Sequence, residues 1–160
     1  MRERWQWDLI ALLAAIILHN LEEILRLPHW SVDQGRALIL SPAAFTAAVF
    51  ATTLLVITVG IRALLGSQSS RNFMQSVALV MIANVFVPHL ALSIYTQSFA
   101  PGLLTSLCLV APAGLLFLRH RAIFSCGIMS RESALWAAVY VIAVFTFLAL
   151  AALLINSAHG

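Results

Sequence analysis

Residues 7–27 read WDLIALLAAIILHNLEEILRL, an apolar run broken by His19, Asn20, Glu22 and Glu23. Its length suits a bilayer span, which needs roughly 20 residues. The basic start at Arg2 and Arg4 is also that of a secretory leader, but a leader's apolar core tolerates no such polar cluster, so the run reads as a retained helix. Each ionisable group near the bilayer centre is penalised by about 2.5–3.5 kcal/mol even on the lenient insertion scale. Helical geometry then gathers these groups on one side. With His19 at zero, Glu23 falls at ~40°, Glu22 at ~300° and Arg26 at ~340°, an arc of roughly 100°. Leucine, isoleucine and alanine take the other faces, so the polar face points into the protein.

Outward from this helix the same apolar character continues. Of 160 residues, 62% are hydrophobic and 9% charged, and the mean hydropathy is +0.98, beyond what a soluble core can hide. Further spans are expected at about 42–65, opened by Ser41-Pro42, about 72–95, about 101–118 after Pro101-Gly102, and about 132–155 behind Ser130. The segment from Pro28 to Ser41, with His29, Trp30 and Arg36, reads as a mixed loop. The expected fold class is therefore all-α: a single-domain polytopic membrane helix bundle covering residues 1–160, with about five transmembrane helices.

Charge sets the expected orientation. Arg2, Arg4, Arg62, Arg71, Arg119, Arg121 and Arg131 fall on one side of this topology, against Arg26 and Arg36 on the other. The positive-inside rule then gives a cytoplasmic N-terminus, an outside C-terminus and a plasma-membrane location. All nine basic residues are arginine, which excludes lysine Schiff-base chemistry. They form no basic run, so no nucleic-acid partner is expected. Cys108 and Cys126 lie far apart without CxxC spacing, which argues against a disulfide or structural zinc.

Depth brings other polar residues to the same layer. Measured along the first helix from Asp8, His19 lies ~16 Å in and Glu22 and Glu23 ~21 Å; along the third from Asn72, Asn84 lies ~18 Å and His89 ~25 Å. Thr105 enters from the opposite surface at ~6 Å. Asn84 and His89 stand ~140° apart on an ideal helix, so only a kink would aim both at one point. Pro88 frees the Asn84 carbonyl and supplies a cause for one.

The pattern H-x-x-E-E from His19 to Glu23, followed in order by Asn84…Pro88-His89 and Pro101-Gly102…Thr105…Pro112, resembles the HXXEE family of small bacterial membrane proteins. The resemblance spans most of the chain. It implies His19, Glu22 and Glu23, with His89, as the site, and it implies no reaction.

The residue types themselves suggest three classes of function. In the first, His19, Glu22, Glu23 and His89 hold a divalent metal (zinc, iron or manganese), because imidazole and carboxylate one helical turn apart can converge on one ion. His19, Glu22 and Glu23 would then be catalytic toward a lipophilic substrate, with Asn84, Arg26 and Thr105 supporting them. A metal-free version uses glutamate and His19 as acid and base. In the second, the cluster is the relay of a small proton- or cation-coupled transporter, for which a homo-oligomer could supply a missing half. The third is a partner-binding membrane protein without chemistry, in which Glu22 merely pairs with Arg26.

Overall fold

Ser41 and Ser67 each do what a serine before an apolar run is suited to do. In the computed structural model, which describes residues 2–33 and 41–119, their hydroxyls accept from the backbone N–H of Ala44 and Ser70 and so start two helices. The described residues form four helices: α1 spans Arg2–Asp33, α2 Pro42–Leu64, α3 Gln68–Thr96 and α4 Leu103–Arg119, with short turns after α2 and after α3. No strand occurs among them. α1 packs on α2 and α4, and α3 packs on the same two, so the four close a ring.

Two helices, α2 and α3, are long and apolar enough to cross a membrane. Only 22% and 28% of their most apolar windows is buried, so most of those side chains face outward. Phe50, Leu54, Ile94 and Tyr95 are exposed side chains of these two helices. α4 is apolar but shorter, and the apolar run of α1 carries the polar cluster. The span expected at 132–155 and the basic loop before it lie outside the described residues.

Three boundaries depart from the sequence reading, the first being the start of α1 at Arg2 rather than near Trp7. Residues 28–33, expected in a loop, continue α1, although a proline inside a helix removes a backbone bond. Trp30 Nε1 donates to Ser98 Oγ at 3.3 Å, tying the last turns of α1 to the far end of α3. The third helix begins at Gln68 rather than near Asn72, because Ser67 is its cap.

Inside the ring, Leu9, Leu12, Ile16, Val56, Met74, Val77, Val110 and Phe117 are buried. Gly60 lets α2 approach closely, since a methyl group there would sit 2.7 Å from Leu13. At the N-terminal end of α1, Arg71 stacks over the Trp5 ring at 4.6 Å and Arg119 reaches Asp8 at 3.6 Å. At the other end, α3 is interrupted. Val87 adopts an extended backbone (φ −133°, ψ 114°) before the cis bond to Pro88, as a residue ahead of proline is biased to do. Helix resumes at Ala91, whose N–H bonds the Phe86 carbonyl across a widened turn.

Candidate metal centre

His19 and Glu23 lie one turn apart on α1, and their side chains meet His89, which enters just past the break in α3. His89 Nε2 is 3.3 Å from Glu23 Oε1, and His19 Nε2 is 3.8 Å from the same oxygen. The two imidazoles stand edge to face, with centroids 4.9 Å apart and planes at 89°. One ligand atom from each of the three residues lies within 4.8 Å of the others. A tetrahedral ion with bonds of about 2.0–2.1 Å separates its ligands by about 3.3 Å. The His89–Glu23 distance therefore already fits, and the others are longer than such an ion would set them.

Both histidines are buried, His19 completely, while the Glu23 side chain retains 17% exposure. The partners of the imidazoles leave their inner nitrogens facing one another. His19 Nδ1 meets the Thr105 hydroxyl at 3.1 Å. Its Nε2 has no hydrogen-bond partner, and it is the one buried side-chain nitrogen or oxygen among the described residues in that position. Such an orphan costs about 1–3 kcal/mol unless something occupies it. The ring of His89 hydrogen-bonds to the Pro101 backbone, and its Nε2 lies 3.0 Å from the Asn84 amide nitrogen. Two imidazole nitrogens and a carboxylate oxygen thus converge; the Asn84 amide already serves His89 Nε2, and a metal ion or a shared proton would serve His19 Nε2 and Glu23.

The adjacent glutamates have different surroundings. Glu22 turns away from the trio: Oε1 accepts from Arg26 at 3.1 Å, Oε2 accepts from Thr105 at 2.6 Å, and the Gly102 backbone adds a further bond. Of the seven residues singled out from the sequence, the structure brings His19, Glu23 and His89 to one point. Asn84 lies against His89, and Thr105 lies between His19 and Glu22. Arg26 reaches only Glu22 among these, with most of its side chain exposed. The break at Val87 is what lets Asn84 and His89 face each other.

Gly102 was not singled out. It has φ of +84°, and a methyl group on it would stand 2.6 Å from His89 Cε1 and 2.8 Å from His19 Cε1. Only glycine places backbone there, between the two rings. The available signal was Pro101-Gly102, which reads as a helix start and gives no hint that the turn touches a site. Asn20, within the motif, turns outward to donate to Thr53 Oγ1 at 2.7 Å and locks α1 to α2.

The fold and this cluster define a class: an all-α protein with apolar helices facing outward and a buried His/Glu group able to hold a metal ion. The chain belongs to the HXXEE family, described as proteins of unknown function with an HXXEE motif, whose model matches residues 10–117. His19, Glu22 and Glu23 are the H, E and E of that motif as they stand here. No curated protein and no solved structure matches the chain.

Proposed function

We propose that this protein is an integral membrane enzyme that holds one divalent metal ion through His19, Glu23 and His89 and acts on a lipophilic substrate drawn from the bilayer. The observation that carries this reading is the buried, partnerless Nε2 of His19, aimed at Glu23 and His89. Two histidines and one carboxylate form a ligand set shared by catalytic zinc and non-haem iron sites, which leave positions open for water or substrate. When bound, the ion would supply Lewis acidity to a polar group of the substrate.

The chain's own residues divide the remaining work. Glu23 brings the negative charge that offsets the ion. Glu22 is held by Arg26 and Thr105 and serves as support. The widened turn of α3 delivers His89 from a second helix, so the site needs both helices in register. The outward-facing apolar surfaces of α2 and α3 support a membrane setting, and a site at this depth is open to lipophilic molecules before water-soluble ones. Trp5, Asp8, Arg71 and Arg119 gather at one end, which supports a cytoplasmic N-terminus in a multi-pass plasma-membrane protein.

The test is metal content. Full-length protein purified in detergent should carry or take up about one equivalent of zinc, iron(II) or manganese per chain, measured by elemental analysis, whereas E23Q and H89A should hold none. Folded wild-type protein that neither contains nor binds any of these ions overturns the reading. One observation favours a second version: Asn84 already serves His89 Nε2, which leaves His19 and Glu23 as a metal-free acid–base pair. Turnover of a lipophilic substrate by metal-free protein would select it.

A further inference from the structure

We infer that Thr105 is a positioning residue that links Glu22 to His19 and fixes which nitrogen of His19 faces the site. Its hydroxyl has one proton and three neighbours that compete for it, Glu22 Oε2 at 2.6 Å, His19 Nδ1 at 3.1 Å and the Gly102 carbonyl at 3.3 Å. A hydroxyl bound to a carboxylate at about 2.5–2.7 Å is charge-assisted and roughly twice as strong as a neutral bond, so the proton belongs to the Glu22 contact. The Thr105 oxygen is then left with lone pairs toward His19, and Nδ1 must be the nitrogen that carries hydrogen. Nε2 therefore presents its lone pair to Glu23 and His89.

The other tautomer loses twice. It would set the Nδ1 lone pair against the Thr105 oxygen at 3.1 Å and point an Nε2–H at a place with no acceptor within hydrogen-bond distance. Rotating the hydroxyl toward Nδ1 instead would leave the carboxylate against an oxygen lone pair at 2.6 Å, a larger penalty because one partner is charged. The order carboxylate, hydroxyl, imidazole is the arrangement by which outer contacts orient a ligating histidine, here with a threonine interposed. It also separates the two adjacent glutamates: Glu23 faces the site, and Glu22 is linked by hydrogen bonds to the His19 ring through Thr105. Thr105 is placed by the backbone turn at Gly102, which opens its helix one turn earlier.

The metal arm of this inference rests on the function proposed above; the tautomer arm does not. Nitrogen-15 spectra of full-length protein in detergent, stripped of metal and with the His19 signal identified by its loss in H19A, should show hydrogen on Nδ1. T105V should mix the two tautomers and weaken zinc binding by roughly 10–100-fold, and T105S should restore both readouts. A wild-type Nε2–H signal overturns the inference, and so does a folded T105V with wild-type tautomer and zinc affinity. If wild type binds none of zinc, iron(II) and manganese, the metal reading falls while the spectra of wild type, T105V and T105S still decide the role of Thr105.

Discussion

The two halves of the helix ring are built on opposite principles, although α1 runs through both. Around Leu9, Leu12, Met74 and Phe117 the helices are continuous, the interior is apolar and ionic contacts sit at the rim, as between Arg119 and Asp8. Around His19, α3 breaks at Val87, α4 starts only at Leu103, and the space between holds two imidazoles and a carboxylate. Irregular backbone at membrane depth is tolerated only where protein or a polar cavity satisfies it. The comparison teaches a division of labour. The regular half sets helix register, and the irregular half uses that register to aim side chains that no continuous helix could bring together.

Glycine at positive φ occurs once in each half, and this gives the sharpest contrast. Gly102→Ala forces a methyl group against both imidazoles, at 2.6 and 2.8 Å, from a conformation that already disfavours side chains. Zinc affinity should fall by at least about a hundredfold, near 2.8 kcal/mol, measured by competition with a chelating dye. Helix content by circular dichroism should persist, because the regular half is untouched. Wild-type affinity in this variant would break the comparison, since the irregular half would then not depend on its geometry.

Phe117→Ala tests the regular half in return. Phe117 is almost wholly buried, and such truncations in water-soluble cores cost about 3–5 kcal/mol. In the membrane setting proposed above the transfer contribution shrinks, because lipid tails are as apolar as the core, and mainly the lost packing remains. A loss of about 2 kcal/mol is expected in unfolding experiments in detergent, with zinc affinity close to wild type.

Much of this contrast was legible in the residues. The polar face of α1 was readable because 100° per residue fixes which side chains share a side, and Pro88 announced a break in α3. Ser41-Pro42 marked the start of α2 for the same local reason. The separate surroundings of Glu22 and Glu23 were not readable. They depend on Thr105 and Gly102, about eighty residues further along the chain, and helix periodicity says nothing about a partner on another helix. The continuation of α1 through Pro28 was hidden likewise, since Trp30 finds Ser98 only once the fold is made. What a helix shows to itself is written locally; what it meets is not.

Gly66→Ala is the counterpart of the Gly102 variant. Gly66 also has positive φ, +108°, yet the only atom near a new methyl group is Arg71 Nη2 at 4.0 Å. The expected effect is backbone strain alone, about 1 kcal/mol on thermal stability, with zinc affinity unmoved. A stability loss as large as that of Phe117→Ala would show that the α2–α3 turn carries more of the regular half than its contacts indicate.

The smallest expected effect lies at the rim. Arg119 reaches Asp8 at 3.6 Å, but more than half of its side chain is exposed, so water and salt screen the pair. Arg119→Gln should lower stability by about 0.2–1 kcal/mol, within the range of exposed pairs measured by double-mutant cycles. Asp8→Asn should cost a similar amount, and the double-mutant cycle over the two positions isolates the share that belongs to this pair. Zinc affinity should be equal in all three. The rim and the site are joined by α1, whose His19 stands three turns from Asp8, so any consistent change in affinity would mean that tilting this one helix is felt at the cluster. The two halves would then be one cooperative unit, and the register set at the rim would itself be part of the site.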